Sequence, residues 1–362
     1  MAKYNESITL RSGVTLKNRL VLAPMTVLLS FYNGIVTKEE IEHYAERSDG
    51  MGMVITATAN VTDNGKGWPG ELTVANDDAV PGLRELAKAI QEKGAKAVLQ
   101  MFHAGRMSAR STLLGEQVVS ASAYAAQMPN AEVPRELTNE EILEIIDSFG
   151  QSTKRAIDAG FDGVEIHGAN LYLIQQFFSP HSNRRTDKWG GTIEKRYRFL
   201  EKIIDTVFET VQKHADRPFI VGYRFSPIET TTPGIRFEDT LWLVSQLREK
   251  NFDYLHVSLR MYDRKANDEN YQEKSELGYI HDTIQGKIPL ISVGGVRTRK
   301  AVEGALVHSE MVAVGQQMLV DPQFAVKLAQ GRDEEFVSKP FGEAIHDLPM
   351  PNPMLKYLEK RY

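Results

Sequence analysis

His167, Asn170 and Tyr172 lie close together in the run His167-Gly-Ala-Asn-Leu-Tyr172. A histidine and a carboxamide can donate hydrogen bonds to an oxygen on which negative charge develops, and a phenol can give up a proton. The run directly follows Phe161-Asp-Gly-Val-Glu-Ile166, an apolar stretch that reads as a buried strand. In an α/β barrel the C-terminal ends of the strands are where chemistry is placed. These residue types therefore suit a reaction that polarises an oxygen and protonates a carbon nearby. A solitary histidine at a strand end is more often a buried, satisfied side chain. The neighbouring Asn170 and Tyr172 are what favour chemistry.

Positioning such a group takes a scaffold, and the chain shows one. Short apolar runs at 18–25, 52–59, 95–102, 161–167, 218–226, 252–258, 288–294 and 311–316 read as strands. Amphipathic segments at about 37–48, 80–94, 138–159, 192–214, 236–250, 275–286, 298–308 and 321–330 read as helices. Thr37-Lys-Glu-Glu40 and Thr138-Asn-Glu-Glu141 both match a capping box, and Gly94 and Gly160 stand where helices should end. Continuously apolar strands imply burial on both faces, hence a parallel sheet. Eight β–α units in series predict a closed (β/α)8 TIM barrel, with an open doubly wound sheet as the alternative. Against that alternative, no G-x-G-x-x-G follows the first strand. The reading is one domain, 1–362: an N-terminal hairpin over 1–17 closing the barrel bottom, a barrel over about 18–330, and a charged tail over 331–362. The long strand-to-helix loops 103–137, 168–191, 227–235 and 259–274 belong to the active end.

Composition narrows the function classes. The chain has 362 residues, 42% of them hydrophobic and 25% charged, which is ordinary globular composition. A net charge of −5 with no long basic run argues against nucleic acid as a partner. The basic cluster Lys195-Arg-Tyr-Arg198 alternates with apolar residues and reads as the wet face of a helix. The absence of cysteine removes disulfides, thiolate catalysis and Cys-ligated iron–sulfur or zinc sites. No metal site is expected. The first residues lack an apolar signal core, and no stretch approaches the ~20 apolar residues of a membrane span. The cytoplasm is the expected location.

Several motifs in order at successive strand ends carry a family resemblance. They are Lys17-Asn-Arg-Leu-Val-Leu-Ala-Pro-Met-Thr26, Gln100-Met-Phe-His-Ala-Gly-Arg106, the His167–Tyr172 run, Ser179-Pro-His-Ser-Asn-Arg-Arg-Thr-Asp-Lys-Trp-Gly-Gly191, Arg224-Phe-Ser-Pro227, and glycines 294, 295 and 315. From about residue 4 to 330 the chain resembles the old yellow enzyme family, FMN-dependent NAD(P)H oxidoreductases of the ene reductase type. The resemblance implies non-covalent FMN and NADH or NADPH as reductant. It also implies reduction of activated C=C bonds (enones, and possible nitro compounds or quinones) by ping-pong hydride transfer from flavin N5.

It further implies roles for particular residues. Gln100 and Arg224 would meet the polar edge of the flavin, where a carboxamide both gives and accepts and a fixed cation suits the charge gathered on reduction. Thr26 would bond the flavin C4=O, and Ala23, Pro24 and Met25 would pack on the ring, with Thr58 near it. Gly294, Gly295, Gly315 and Gln316 would form the phosphate loops after the last two strands. The family usually has Gly-Arg where this chain has Gly315-Gln316, and Arg297 is the nearby cation that would substitute. His167 and Asn170 would hold the substrate oxygen and Tyr172 would protonate the substrate. Phe102 would line the pocket, and Asn183, Arg185, Thr186 and Asp187 would brace the rim. Relatives of the dienoyl-CoA reductase or amine dehydrogenase kind carry an iron–sulfur cluster, which a chain without cysteine cannot ligate in that way. A different class of reading is a flavin-binding sensor or scaffold with little turnover. Partners are expected to be small electrophiles, with no nucleic acid and no membrane. A homo-oligomer is possible, through the Tyr- and Lys-rich tail end 356–362.

Overall fold

The computed structural model describes residues 3–347 and 350–361, so the expected hairpin and tail each include positions outside the described residues. Eight parallel strands form the barrel: β1 Leu20–Leu22, β2 Met53–Asn60, β3 Lys96–Phe102, β4 Gly163–Gly168, β5 Ile220–Phe225, β6 Tyr254–Val257, β7 Leu290–Val293 and β8 Met311–Val314. Each pairs with the next, and β8 pairs with β1, which closes the cylinder. Helices α1 Lys38–Ser48, α2 Val80–Gln91, α3 Asn139–Asp158, α4 Ile193–His214, α5 Phe237–Leu247, α6 Glu276–Ile284, α7 Arg299–Ala305 and α8 Phe324–Gln330 follow the strands. The expected (β/α)8 barrel is the fold.

Alternation within the strands makes two cores. Inward residues Val21, Met53, Val98, Ile220, Tyr254, Ile291 and Met311 pack with Leu10, Val14 and Leu16 of the N-terminal hairpin, Ile8–Thr9 paired with Thr15–Leu16. The hairpin therefore plugs the barrel bottom. The larger core lies between strands and helices. Gly94 and Gly160 end their helices at φ +74° and +86°, in the left-handed region that glycine enters without steric cost.

Some local expectations fail. Thr138 and Glu141 form a full capping box, but at α1 only Thr37 caps; Glu40 turns inward and accepts from Ser30 Oγ at 2.5 Å. The 195–198 cluster is not uniformly wet. Arg196 and Tyr197 are buried, and Arg196 Nε donates to the Phe178 carbonyl at 2.7 Å. The tail is not merely a charged extension, since a helix at Asn352–Arg361 buries Met354 and Leu358 against the same chain. Short helices at Leu173–Phe178 and Gln316–Val320 were not legible.

Candidate active site

A cavity of about 840 Å³ opens at the C-terminal ends of the strands. Its lining runs round the barrel: Ala23, Pro24, Met25 and Thr26 after β1, Thr58 on β2, Gln100 on β3, His167, Asn170 and Tyr172 at and after β4, and Arg224 on β5. Gly294 and Gly295 follow β7, and Gly315 and Gln316 follow β8. Every residue singled out for cofactor or catalysis thus faces one space.

Local structure explains the aim of each side chain. In β2 the register slips by one residue between Ile55 and Thr58, which bulges the strand and re-aims Thr58. The bulge is pinned by Tyr44 on α1, whose hydroxyl accepts from Ala57 N at 2.6 Å. After β4, Asn170 and Leu171 sit at φ +58° and +67°, a conformation that costs free energy for residues other than glycine. The surroundings hold it. Asn170 N donates to Ser226 Oγ at 2.9 Å, Leu171 N donates to Gln175 Oε1 at 2.9 Å, and Gln176 Nε2 donates to the Leu171 carbonyl at 2.6 Å. The strained turn brings Asn170 and Tyr172 to the same rim. Gly294, at φ +110°, could not carry a side chain: a Cβ would lie 2.6 Å from the Arg260 backbone.

Hydrogen bonding fixes orientations. Ser258 Oγ donates to Asn170 Oδ1 at 2.9 Å, so the Asn170 oxygen is occupied and its NH2 remains to donate. Gln100 Nε2 donates to Glu165 Oε1 at 2.6 Å, so its oxygen remains to accept. Burial, aided by the Arg224 charge, holds the His167 pKa well below its usual value, so the ring is a neutral imidazole with one N–H. Arg224 is buried; desolvation lowers its pKa, and the Glu165 carboxylate works against that. Its Nη2 contacts Ser258 Oγ at 3.3 Å, whereas Arg224 Nε and His167 Nδ1 are buried with no partner among the described residues. Buried donors and acceptors left unpaired are costly, and both belong to side chains that line the cavity.

Sequence reasoning missed part of the lining. Phe102 is fully buried behind the wall, 4.9 Å from the Tyr172 ring centroid; the indole at the pocket is Trp68, stacked on Phe102 at 6.2 Å. Ser258, Arg260 and Arg264 also line the cavity, as do Tyr357 and Leu358 from the C-terminal helix. The end of β6 was a readable signal for Ser258. Trp68 and Tyr357 carry no periodic signal, being brought in by loops and tail. Asn183 and Arg185 lie outside the cavity and tie the rim: Asn183 Nδ2 bonds the Phe177 and Trp189 carbonyls, and Arg185 reaches the Ala121 and Leu137 carbonyls.

A family model described as NADH:flavin oxidoreductase / NADH oxidase family matches residues 6–335. The chain belongs to that family. It is an enzyme of the oxidoreductase class, in a family of flavin- and nicotinamide-dependent proteins. It is 42% identical over 349 residues to the probable NADH-dependent flavin oxidoreductase YqiG of Bacillus subtilis, covering 96% of this chain and 93% of that one. It is 46% identical over 331 residues to NADH:acrylate oxidoreductase of Vibrio harveyi, covering 90% of this chain but 33% of that protein. The NADH:fumarate oxidoreductase of Klebsiella pneumoniae is 40% identical, covering 97% of this chain and 38% of that protein. The chain thus spans a third or so of these two relatives. Among solved structures, the old yellow enzyme homologue from Zymomonas mobilis superposes with a TM-score of 0.78 at 23% identity, covering 96% of this chain and all of that one. Morphinone reductase with tetrahydroNAD gives 0.77 at 24%, covering 91% of each chain. At these identities the likeness is one of fold. Among the described residues no helix is long and apolar enough to cross a membrane.

Proposed function

We propose that the cavity holds FMN non-covalently and that the protein uses NADH or NADPH to reduce activated C=C bonds. One observation carries this reading: neutral His167, the Asn170 amide and Tyr172 share a rim, while the Arg224 guanidinium and the free Gln100 oxygen belong to side chains lining the same space. The volume, about 840 Å³, suits a flavin nucleotide with a small partner. The acceptor oxygen of Gln100 and the buried guanidinium of Arg224 suit the alternating polar edge of an isoalloxazine. Gly294, Gly295, Gly315 and Gln316, with Arg297, would receive the phosphate. Ala23, Pro24 and Met25 would pack on the ring, and the Thr26 and Thr58 hydroxyls would meet it.

Bound FMN would supply hydride transfer at N5. The chain's own residues do the rest. His167 and Asn170 Nδ2 donate to the substrate oxygen, where charge grows as the β-carbon accepts hydride; fixed donors in a dry site count most there. Tyr172 passes its hydroxyl proton to the α-carbon. Arg224 balances charge gathered on the cofactor. Nicotinamide and alkene use one cavity in turn, giving ping-pong turnover. The relatives named for acrylate and fumarate agree with an activated alkene as acceptor, although this chain spans only part of each.

The purified protein should be yellow, bleach anaerobically with NADH or NADPH, and regain its colour with 2-cyclohexenone. Tyr172→Phe should leave bleaching within a few-fold of wild type and slow re-oxidation by ~10²-fold or more, the usual contribution of a positioned acid. An equal fall in both half-reactions would remove Tyr172 from the proton-donor role. Colour without bleaching by either nucleotide would favour the sensor reading.

A further inference from the structure

Directly below the cavity floor lies a buried ionic cluster to which the reaction above gives no task. Glu165 is fully buried on β4, pointing into the barrel. It pairs in register with Gln100 on β3 and with Gly222 on β5. Both of its oxygens are engaged: Oε1 accepts from Gln100 Nε2 at 2.6 Å and Oε2 lies 3.0 Å from His256 Nδ1. Residue 222 is glycine because the Tyr254 ring crosses there; a Cβ would lie 2.1 Å from its Cζ. Tyr254 thereby covers the carboxylate from the β6 side. One inward position above stand His167, Arg224 and His256, in register on β4, β5 and β6.

A carboxylate in such a place is costly unless paired. Burial works to raise the Glu165 pKa, but His256, Arg224 and the hydrogen bonds prevail, and the carboxyl is held below its usual value. Burial lowers the His256 pKa while the Glu165 carboxylate pulls it up, and His256, with Arg224 as the permanent cation of the cluster, favours the ionised carboxyl.

Resting on the FMN reading, we propose that Glu165 is a positioning residue that sets the cofactor's redox balance. It does so in two ways: it locks the Gln100 carboxamide with its oxygen toward the cavity, and it offsets the Arg224 charge. Without it Gln100 is free to flip, presenting a donor where an acceptor is needed. Without its charge, Arg224 acts uncompensated and holds the electron-rich reduced flavin more tightly relative to the oxidised form.

Glu165→Gln separates charge from shape. The amide keeps a bond to Gln100 through its oxygen and donates its NH2 to His256 Nδ1 once that ring takes the other tautomer. Redox-dye equilibration of FMN-loaded protein, with FMN affinity measured by fluorescence quenching, reads the outcome. Glu165→Gln should keep oxidised FMN while shifting the midpoint potential positive, by an amount equal to about a tenfold rise in the preference for reduced over oxidised FMN. Glu165→Asp keeps the charge but loses the reach to Gln100; it should leave the potential near wild type and weaken oxidised FMN several-fold. A Glu165→Gln protein that holds FMN at the wild-type potential overturns the charge role. A Glu165→Asp protein with wild-type FMN affinity overturns the positioning role, and that arm stands even if Glu165→Gln does not fold. Wild-type protein that takes up no FMN would instead sink the flavin reading, and this proposal with it.

Discussion

Ser258 joins two functions that chemistry would otherwise keep apart. Its hydroxyl donates to Asn170 Oδ1 at 2.9 Å and receives Arg224 Nη2 at 3.3 Å. A carboxamide has two nearly isosteric ends, so without a partner it presents a mixture of donor and acceptor to the substrate oxygen. The serine selects the donor end, and the backbone at φ +58° delivers it. Ser258→Ala should therefore weaken the binding of a phenolate by about fivefold, the worth of one hydrogen bond near 1 kcal/mol. Asn170→Ala should weaken it further. Titration of FMN-loaded protein with a substituted phenol, followed by the long-wavelength charge-transfer band, measures both. A Ser258→Ala curve overlying wild type would show that Asn170 needs no such guide.

At the scale of elements, the loops after β7 and β8 bring one neutral and one cationic side chain to the part of the cavity proposed to take the phosphate. Gln316 carries no charge, and Arg297 lines the same cavity. Arg297 is not loose: Nε donates to Gln317 Oε1 at 2.9 Å, and Nη2 is held by the carbonyls of Val337 and Lys339. With those donors spent, Nη1 retains hydrogens for an anion. If it meets the phosphate, Arg297→Ala should weaken FMN by about tenfold or more, as expected for a charge-assisted bond, and leave riboflavin affinity unchanged. Adding Gln316→Arg should restore FMN. Equal losses for FMN and riboflavin would mean that Arg297 only supports the loop. The same elements show what was legible. Strands were readable because burial on both faces leaves mostly apolar residues, and helices because one apolar face and a capping threonine mark them. The residues that line the cavity were readable from their strand ends together with the family resemblance, which supplied the roles expected of them. Trp68, Tyr357 and the helix at Asn352–Arg361 were not, because a loop or tail has no period to betray what it packs against. Glu40 misled for a related reason: its spacing fits a capping box, but a tertiary partner, Ser30, outcompetes the local one.

That buried glutamate matters to the molecule as a whole. Glu40 lies on the inner side of α1, fully buried, with Oε2 bonded to Ser30 and Oε1 without a partner among the described residues. Because β8 pairs with β1, the sheet against which α1 packs is continuous. Burial pushes its pKa up to about 8, against the lowering effect of the Ser30 bond. The unfolded chain releases this proton near the usual 4.5. Between those values the folded state binds more protons, so the carboxyl's contribution to stability falls as pH rises. Glu71, raised well above its usual value by burial, acts in the same direction. Glu40→Gln removes the Glu40 titration while keeping its shape. Relative to wild type, it should gain stability by roughly 1 kcal/mol for each pH unit between about 5 and 8. Denaturant unfolding of both proteins across that range measures the gap. A gap that stays constant with pH would mean that Glu40 is ionised in the folded barrel, and that the cylinder admits water behind α1 after all.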